Sequence, residues 1–451
     1  MVDSVIAYLD EHANDAQALL ERLCRQPSVV AQGLGMPQMA DLIEGLLSET
    51  GFKTERLFAE GSPPAIYGEL RGRSPYTILL YNHYDVQPAE PLELWHSPPF
   101  EPTIRDGKFY ARGACDNKGE IASRLTAIRA LRTVLGELPI TLRWIIEGEE
   151  EIGSPHFGAI ASKYAPLLQA DGCFWEGEGF GPTGRPELLL GTKGLLYVQL
   201  DVQGTGIDAH SGSAPILPSA AWRLVQALAT LRTPEAHVRI PGFYNAVLKP
   251  SEAQLAAIAD QPNMDAELRE AYKVDQFVDG LSGAALGERL AFTPTCNLAG
   301  LVSGYTGQGS KTVLPAQASA KFSFRLVGKQ DPERIRESFR DFVRARLPPD
   351  CRAQFISHGA SAALALPFGS EALRRARRAL HAEWDKEPVL IGSGGSIPIV
   401  GIFKRDLKMD ALMIGFGLDD DRIHSPNEKY ELTSFHKGAR SWARILAALA
   451  A

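Results

Sequence analysis

The pattern of hydrophobic and polar positions divides the first part of the chain into alternating strand-like and helix-like segments. Short apolar runs predict buried strands, whereas apolar residues at every third or fourth position predict amphipathic helices. By these criteria the strands cover residues 65–70, 77–81, 140–146 and 172–175, and the helices cover 118–134 and 154–169. Strands and helices that alternate in this way are typical of an α/β domain with helices packed on a central sheet.

A different pattern begins near residue 195. Segments 195–202 and 318–326 alternate between apolar and polar residues, which predicts antiparallel strands with one face turned to solvent. Helices are predicted over 220–231 and 332–347. These segments therefore favour an α+β domain of two layers.

The first pattern returns near residue 366, with a helix over 371–384, a strand over 411–416 and a helix over 434–450. We therefore predict an α/β fold in which a discontinuous catalytic domain has a mixed central sheet flanked by helices. It would comprise residues 1–194 and 366–451, and residues 195–365 would form an inserted lid and dimerisation domain.

Composition and charge exclude several classes of protein. A chain of 451 residues exceeds the size at which a single core usually stops growing, so two domains are expected. The 45% share of hydrophobic residues and 22% share of charged residues exclude extensive disorder. A formal net charge of -7, without a Lys/Arg run, argues against a nucleic-acid partner.

The sequence also carries no apolar run of the length that a membrane-spanning helix requires. Its polar, amphipathic first segment lacks the basic start and apolar stretch of a secretion signal. We therefore expect a protein of the cytosol that acts on small molecules, without a membrane partner.

Five cysteines are scattered along the chain with no CxxC spacing. This distribution argues against a disulfide framework and against a zinc site made of thiolates. A metal site in this protein would have to use histidines and carboxylates.

Polar side chains that can bind a metal follow the predicted strand 77–81. His83 and Asp85 lie two residues apart in NHYDVQP, so in extended chain an imidazole and a carboxylate would emerge on the same side. The carboxyl ends of strands are where open α/β sheets bind their ligands.

Four further segments bring acidic or imidazole side chains to a turn or a strand end. They contain Asp116 in ARGACDNKGE, the group Glu147, Glu149, Glu150 and Glu151 in EGEEEIGS, Glu176 and Glu178 in FWEGEG, and His424 in DDDRIHSPNE. Taken alone, Asp116 could be a helix N-cap and the glutamates a solvated acidic loop. Carboxylates mixed with imidazoles suit catalytic Zn²⁺, and also Mn²⁺ or Co²⁺.

The motifs that carry these residues occur in an order that resembles a known family. They are YNHYDVQP, ARGACDNKG, EGEEEIGS, DAHSG, GSKTVLPA, GGSIP and IHSPNEK. The chain resembles the M20 metallopeptidases, and within them the carnosinase-like, nonspecific dipeptidase branch, over almost its whole length.

The resemblance implies a ligand set for two divalent metal ions per subunit, with zinc favoured and manganese or cobalt as alternatives. His83 and Glu176 would bind one ion, Glu151 and His424 the other, and Asp116 would bridge them. Two such ions can hold a hydroxide and polarise the scissile carbonyl. The choice of Glu176 over Glu178 rests on its position directly after the strand-like CFW.

The resemblance also implies catalytic roles for three residues. Glu150 would be the general base that deprotonates the metal-bridged water, and Asp85 would orient the ring of His83. His210 would reach into the partner subunit's site and stabilise the oxyanion, which implies a homodimer formed through the lid. A hydrogen-bonded loop histidine is the structural alternative for His210.

Substrate contacts follow from the resemblance as well. Arg325 would grip a substrate carboxylate, for which its forked guanidinium is suited, unless it is simply a surface residue of a strand. Gly395 and Ser396 in GSGGSIP, with Thr312, would present a hydroxyl and backbone N–H groups to the same carboxylate. A simple glycine turn is the alternative for GSGGSIP.

Three positions depart from the family pattern. Asn82 stands where the branch usually has Gly, Glu149 replaces a common Met, and Asn117 follows Asp116 where Asp is frequent. None of these changes removes a ligand. The resemblance further implies a cis peptide bond between Asp116 and Asn117.

The activity expected from these features is hydrolysis of the amide bond of dipeptides or similar short substrates. The alternative enzyme is an N-acyl-amino-acid deacylase or related amidohydrolase with the same di-metal chemistry. A metal-containing binding module without turnover belongs to a different class, and a chelator-sensitive hydrolytic assay would distinguish it.

Overall fold

The computed structural model describes residues 2–177, 179–180, 184–365, 370–393 and 398–450. The helices in this part of the chain are α1 Val2–Glu11, α2 Ala13–Arg25, α3 Met36–Glu49, α4 Lys118–Leu135, α5 Phe157–Lys163, α6 Ala165–Leu168, α7 Ala220–Ala229, α8 Glu252–Asp260, α9 Asp265–Tyr272, α10 Gly283–Phe292, α11 Pro332–Arg344, α12 Glu371–Trp384, α13 Pro398–Arg405 and α14 Leu432–Ala448.

The strands of the same residues are β1 Lys53–Leu57, β2 Ala65–Leu70, β3 Ser74–His83, β4 Thr103–Arg105, β5 Lys108–Tyr110, β6 Ile140–Glu147, β7 Gly172–Glu176, β8 Glu187–Thr192, β9 Gly194–Gln203, β10 Ala209–His210, β11 Thr295–Ser303, β12 Val313–Leu314, β13 Gln317–Leu326, β14 Arg352–Ser361, β15 Leu364–Ala365, β16 Val389–Ser393, β17 Ala411–Ile414 and β18 Lys429–Glu431.

A large mixed sheet forms the centre of the molecule. Its strands follow the order β1-β2-β6-β3-β7-β17-β8-β15, and β16 pairs with β8. The adjacent strands β6, β3, β7 and β17 run parallel to one another, so their carboxyl ends lie along one edge. The predicted α/β class with a mixed central sheet is confirmed.

This sheet is covered by helices and encloses an extensive hydrophobic core. Trp144, Trp175 and Trp442 are fully buried in it, on β6, β7 and α14 respectively. The near-continuous apolar runs that predicted these strands are explained by burial of the sheet between helices.

A second sheet contains four antiparallel strands in the order β11-β13-β9-β14. One face buries every second residue of β9 and β13, as the alternating pattern predicts, and α7 and α11 contribute to the same core. Phe339 packs edge to face against Phe322 and Phe324 there. The boundaries of the inserted domain stay a prediction, and β15, at its predicted end, pairs with the large sheet.

The prediction of a single helix over residues 154–169 is wrong. The structure has two short helices, α5 and α6, separated at Tyr164. Pro166 lies in the first turn of α6, where its missing N–H costs nothing, but it could not continue a preceding helix.

The strand predicted over 411–416 ends two residues early, at Ile414. Gly415, which follows it, lies against Gly177, and a Cβ on Gly415 would overlap the Gly177 carbonyl. These two glycines let the ends of β7 and β17 approach each other closely.

None of the helices in the described ranges is both long enough and apolar enough to cross a lipid bilayer.

Candidate metal centre

The predicted metal ligands converge at the carboxyl edge of the parallel strands. His83 is the last residue of β3 and Glu176 the last residue of β7. Glu151 lies in the turn Glu150–Ile152 that follows β6. Asp116 lies just before α4, and His424 lies in the segment between β17 and β18. Five residues that are distant in sequence thus meet at one place.

Asp116 lies between the two histidines. Its Oδ1 is 3.0 Å from Nε2 of His83, and its Oδ2 is 2.8 Å from Nε2 of His424. Each carboxylate oxygen therefore faces a different imidazole, as a bridging ligand requires.

Each histidine also faces a carboxylate of its own. Nε2 of His83 lies 3.5 Å from Oε2 of Glu176, and Nε2 of His424 lies 3.0 Å from Oε2 of Glu151. The cluster thus has two halves, each with one imidazole, one carboxylate and one oxygen of Asp116.

The donor atoms fit a divalent cation. His83, Asp116 and Glu151 each offer a ligand atom within 4.8 Å of the others. Oε2 of Glu176 is buried and has no hydrogen-bond partner among the described residues, which is costly for an acidic oxygen without a cation. Imidazole nitrogens and carboxylate oxygens without a thiolate suit zinc, manganese or cobalt.

The charges of the cluster shift the pKa values of its members. Hydrogen bonds to Asp116 and Glu151 raise the pKa of His424 to about 10. Burial opposes protonation of His83, but Glu176 and Asp116 raise its pKa well above the usual value. Burial raises the pKa of Asp116, yet the hydrogen bonds from His424 and His83 leave it below the ordinary value. The negative potential that favours protonated imidazoles also attracts divalent cations.

Asp85 connects the end of β3 to the turn that carries Glu150 and Glu151. Its carboxylate oxygens accept hydrogen bonds from the backbone N–H groups of Glu150, at 3.2 Å, and Glu151, at 3.0 Å. Nδ1 of His83 lies 3.0 Å from the Asp85 carbonyl oxygen and 3.4 Å from its Oδ1. Asp85 therefore contacts the ring nitrogen of His83 that faces away from Asp116.

Glu150 lies beside the cluster with an unpaired carboxylate. Within the described residues its side chain makes no hydrogen bond or ion pair. Burial raises the pKa of this carboxyl group, although the neighbouring His83 opposes the shift. A half-buried carboxylate without a partner can accept a proton from a substrate or from water.

Glu428 was not predicted as a site residue, although it lies in the motif IHSPNEK. Its buried carboxylate accepts hydrogen bonds from the backbone N–H groups of Gly113, Cys115 and Asp116, at 2.8, 3.0 and 3.1 Å. It also pairs with Arg112 at 2.7 Å. Glu428 thus holds the loop before α4 against the segment that carries His424.

Gln87 was missed as well, and it contacts Glu151. Its Nε2 donates to the carbonyl oxygen of Glu151 at 3.0 Å and to the Oε2 atom at 2.9 Å. The motif YNHYDVQP contains this residue, so the signal was present in the sequence. An outer hydrogen bond of this kind orients a ligating carboxylate.

His424 has an unusual backbone conformation. Its φ of 61° lies in the left-handed region, which residues other than glycine seldom adopt. Such conformations cost about 1–3 kcal/mol and persist where surrounding contacts enforce them, often at functional sites. The exposed ring is thereby turned toward Asp116 and Glu151.

The predicted lid residues lie in another part of the structure. His210 is exposed, and its Nδ1 accepts a hydrogen bond from Gly212 N at 3.1 Å. Thr312 lies beside it, because Ser211 N donates to the Thr312 carbonyl and β10 pairs with β12. Arg325 lies half-buried on β13, opposite Leu195 of β9. The roles assigned to these three residues stay predictions.

Three predicted positions fall outside the described residues. They are Gly395 and Ser396, assigned to substrate binding, and Glu178, the alternative to Glu176. The expected cis peptide bond between Asp116 and Asn117 is confirmed.

Comparisons with known proteins assign the chain to a family. Residues 79–448 match Peptidase family M20/M25/M40. The Cys-Gly metallodipeptidase dug1 of Schizosaccharomyces pombe is 29% identical, with 100% of this chain and 98% of that protein covered. The Beta-Ala-His dipeptidase of Rattus norvegicus is 29% identical, with coverage of 85% and 79%.

A solved structure is similar over the same length. The M20 family metallo-carboxypeptidase Sso-CP2 from Sulfolobus solfataricus has a TM-score of 0.86 and 32% identity, with 96% of this chain and 99% of that chain covered. The match of the family over most of the chain, the shared fold and the imidazole and carboxylate cluster lead to one conclusion. The chain belongs to peptidase family M20/M25/M40 and is a hydrolase.

Proposed function

We propose that this hydrolase is a dipeptidase that uses two divalent metal ions, with zinc favoured over manganese or cobalt. The observation that carries the proposal is the shared carboxylate of Asp116, whose two oxygens face His83 and His424 separately. With Glu176 and Glu151, these residues would hold one ion in each half of the cluster.

Bound cations would supply the Lewis acidity that polarises the scissile carbonyl and activates the attacking water. Glu150 accepts the proton of that water and returns it to the leaving amine, because its carboxylate is free and adjacent to Glu151. The Asp85 carboxylate fixes the position of the turn of Glu150 relative to His83, because it accepts two hydrogen bonds from backbone N–H groups of that turn. Gln87 holds the carboxylate of Glu151 in the orientation in which it would bind the second ion.

The relatives support dipeptides as the substrate class. Two of them are named as dipeptidases, for Cys-Gly and for Beta-Ala-His. In both of these dipeptides the bond to be cut precedes a residue with a free carboxylate. We propose that Arg325 binds this carboxylate, together with Thr312, Gly395 and Ser396.

A homodimer formed through residues 195–365 would complete the site with His210 of the partner subunit. This proposal is supported by the large apolar side chains that this segment exposes, among them Ile207, Ile216, Trp222, Leu298 and Val302. Strand β11, which carries two of them, is an edge of the four-stranded sheet. Exposed apolar residues and an unpaired strand edge both favour association with another chain. The cytosolic location stays a prediction.

Carboxypeptidase activity on longer peptides is a second candidate function. It is favoured by the similarity to Sso-CP2, which is named a metallo-carboxypeptidase. Both activities remove a C-terminal residue, so they differ in the length of chain that the site admits. Deacylation of N-acyl amino acids stays open as the third reaction with the same chemistry.

A substrate panel with controlled metal content tests the proposal. Bound metal is first removed with a chelator. The metal-free protein is then loaded with Zn²⁺, Mn²⁺ or Co²⁺ and assayed on Cys-Gly, Beta-Ala-His, a tripeptide, a dipeptide amide and N-acetyl amino acids. We expect metal-dependent cleavage of dipeptides and little cleavage of the amide, which lacks the carboxylate. Faster cleavage of the tripeptide would favour the carboxypeptidase, and faster cleavage of N-acetyl amino acids the deacylase. The absence of metal-dependent hydrolysis throughout the panel would refute all three.

A further inference from the structure

Two asparagines that flank the proposed ligands are joined by a hydrogen bond. Asn82 precedes His83 at the end of β3, and Asn117 follows Asp116 just before α4. Both side chains are buried, and Nδ2 of Asn82 donates to Oδ1 of Asn117. The two segments that carry His83 and Asp116 are therefore linked directly beside these ligands.

The orientation of the Asn82 amide is fixed from the opposite side. Its Oδ1 accepts hydrogen bonds from Nη1 of Arg124, at 2.7 Å, and from Nε1 of Trp144, at 3.0 Å. Both partners are obligate donors, so the oxygen must face them and the NH₂ group must face Asn117. The bridge therefore has one defined geometry.

Arg124 is itself held firmly by the sheet. Its guanidinium donates to the carbonyl oxygens of Tyr81, at 2.6 Å, and Trp175, at 3.1 Å, and it stacks 4.4 Å from the ring centre of Trp442. Tyr81 and Trp175 belong to β3 and β7, the strands that end at His83 and Glu176. Through Asn82, this hydrogen-bond network therefore fixes the position of Asn117 and of the loop that carries Asp116.

We infer that the Asn82–Asn117 bridge is a positioning element that sets the separation of His83 from Asp116 and thereby the affinity for metal. The inference rests on the proposed function, because it takes these two residues as ligands. Neither asparagine contacts the ligand atoms of the cluster in the described structure, so they act through their neighbours. Loss of such an outer hydrogen bond typically weakens metal binding about 10–100-fold.

The test compares Asn117→Ala, Asn82→Ala and the double variant with the wild-type protein. Co²⁺ affinity is measured by competition with a chromophoric chelator, and the visible absorption spectrum of the Co²⁺-loaded protein reports ligand geometry. We expect each single variant to bind Co²⁺ at least about tenfold more weakly, with an altered spectrum. The double variant should bind Co²⁺ no more weakly than the weaker-binding single variant, because both substitutions remove the same hydrogen bond.

Two further variants separate positioning from support of the fold. Asn117→Asp keeps an acceptor for Asn82 and should retain wild-type affinity or better. Gln330→Ala removes a buried amide beside the hydrophobic core of the four-stranded sheet. This amide donates to the Phe243 carbonyl at 2.6 Å and accepts from Val327 N at 2.8 Å. It should lower the melting temperature while Co²⁺ affinity and spectrum stay unchanged.

The outcomes are distinct. Wild-type Co²⁺ affinity and spectrum in Asn117→Ala would overturn the inference, as would losses that multiply in the double variant. If Asn82→Ala does not fold, because Arg124 and Trp144 lose their acceptor, Asn117→Ala decides alone, since it leaves those two bonds intact. A wild-type protein that binds no Co²⁺ would instead overturn the proposed function.

Discussion

At the scale of single residues, neighbouring glutamates of one turn have different environments. Glu149 pairs with His156 at 2.9 Å, whereas the carboxylate of Glu150 has no partner among the described residues. Glu150→Gln removes the proton acceptor but keeps the shape of the side chain. We expect kcat to fall at least about a hundredfold, while elemental analysis finds the metal content of the wild-type protein.

Glu149→Gln is the matched control for this prediction. The change is the same, in the same turn, but the amide can still bond to His156, so kcat should stay near the wild-type value. Equal losses in the two variants would indicate a general disturbance of the turn. Full activity of Glu150→Gln would remove Glu150 from the mechanism.

Glu428 allows a second prediction at this scale. Glu428→Gln leaves Arg112 buried without its counter-charge and places an NH₂ group among three backbone donors. Breaking a buried pair costs about 3–5 kcal/mol, so the free energy of unfolding of the metal-free protein should fall by that amount in denaturant titrations. Metal affinity should fall too, because the loop of Asp116 loses its anchor.

Glu431→Gln is the control, since Glu431 is part-exposed and lies 3.8 Å from Lys108. An ion pair of this kind contributes about 0–1 kcal/mol. A loss in Glu428→Gln no larger than in Glu431→Gln would contradict the anchoring role.

At the scale of elements, the close approach of β7 and β17 bears on the position of Glu176. Gly415→Ala would place a methyl group against the Gly177 carbonyl and push the two strand ends apart. Overpacking of this kind costs about 1–3 kcal/mol. We expect a lower melting temperature and weaker metal binding, because Glu176 immediately precedes Gly177.

Gly45→Ala is the comparison for Gly415→Ala. Gly45 lies within α3, and beyond its chain neighbours and the backbone of that helix no atom of the described residues lies within 4 Å of an added Cβ. Alanine favours a helix over glycine by about 1 kcal/mol, so this variant should be slightly more stable. Unchanged metal affinity in Gly415→Ala would show that the strand ends tolerate separation.

The elements also show what the sequence could and could not predict. The strands that end at His83 and Glu176 were found because buried strands are continuous apolar runs, and the helix 371–384 was found because its amphipathic period is strong. The separation of α5 and α6 at Tyr164 was not predicted, because the helical spacing of apolar residues outweighed the helix-breaking effect of Pro166.

The candidate site, like the fold, could be predicted only in part. Its ligand segments could be named from motifs, because each lies in a local run of distinctive residues. The links of Asn82 to Asn117 and of Glu428 to the loop of Gly113 could not be predicted. They join segments that are distant in sequence, and their existence depends on tertiary packing, which no local pattern records.

At the scale of the whole molecule, the proposed homodimer makes a prediction about mixed subunits. His210→Ala and Glu150→Gln should each be almost inactive as pure dimers. If the subunits are unfolded and refolded together, half of the dimers would contain one intact site, with Glu150 from one chain and His210 from the other. Random assortment then restores roughly a quarter of wild-type activity.

The measurement is the activity of the refolded mixture against each variant refolded alone, with dimer formation followed by light scattering. Activity that remains at the level of the single variants, in a mixture shown to contain mixed dimers, would place His210 in its own subunit's site or outside catalysis. A monomer in light scattering would refute the homodimer.

The order in which the ligand segments leave the ribosome has a consequence for the cell. Four donors of the cluster, His83, Asp116, Glu151 and Glu176, are synthesised before residues 195–365, whereas His424 and Glu428 follow them. A translation product that stalls before residue 424 therefore lacks the imidazole that would bind the second ion, and it also lacks Glu428, which anchors the loop of Asp116. On the proposed ligand set, we expect such truncated chains to have no hydrolase activity, so that interrupted synthesis would release no active peptidase.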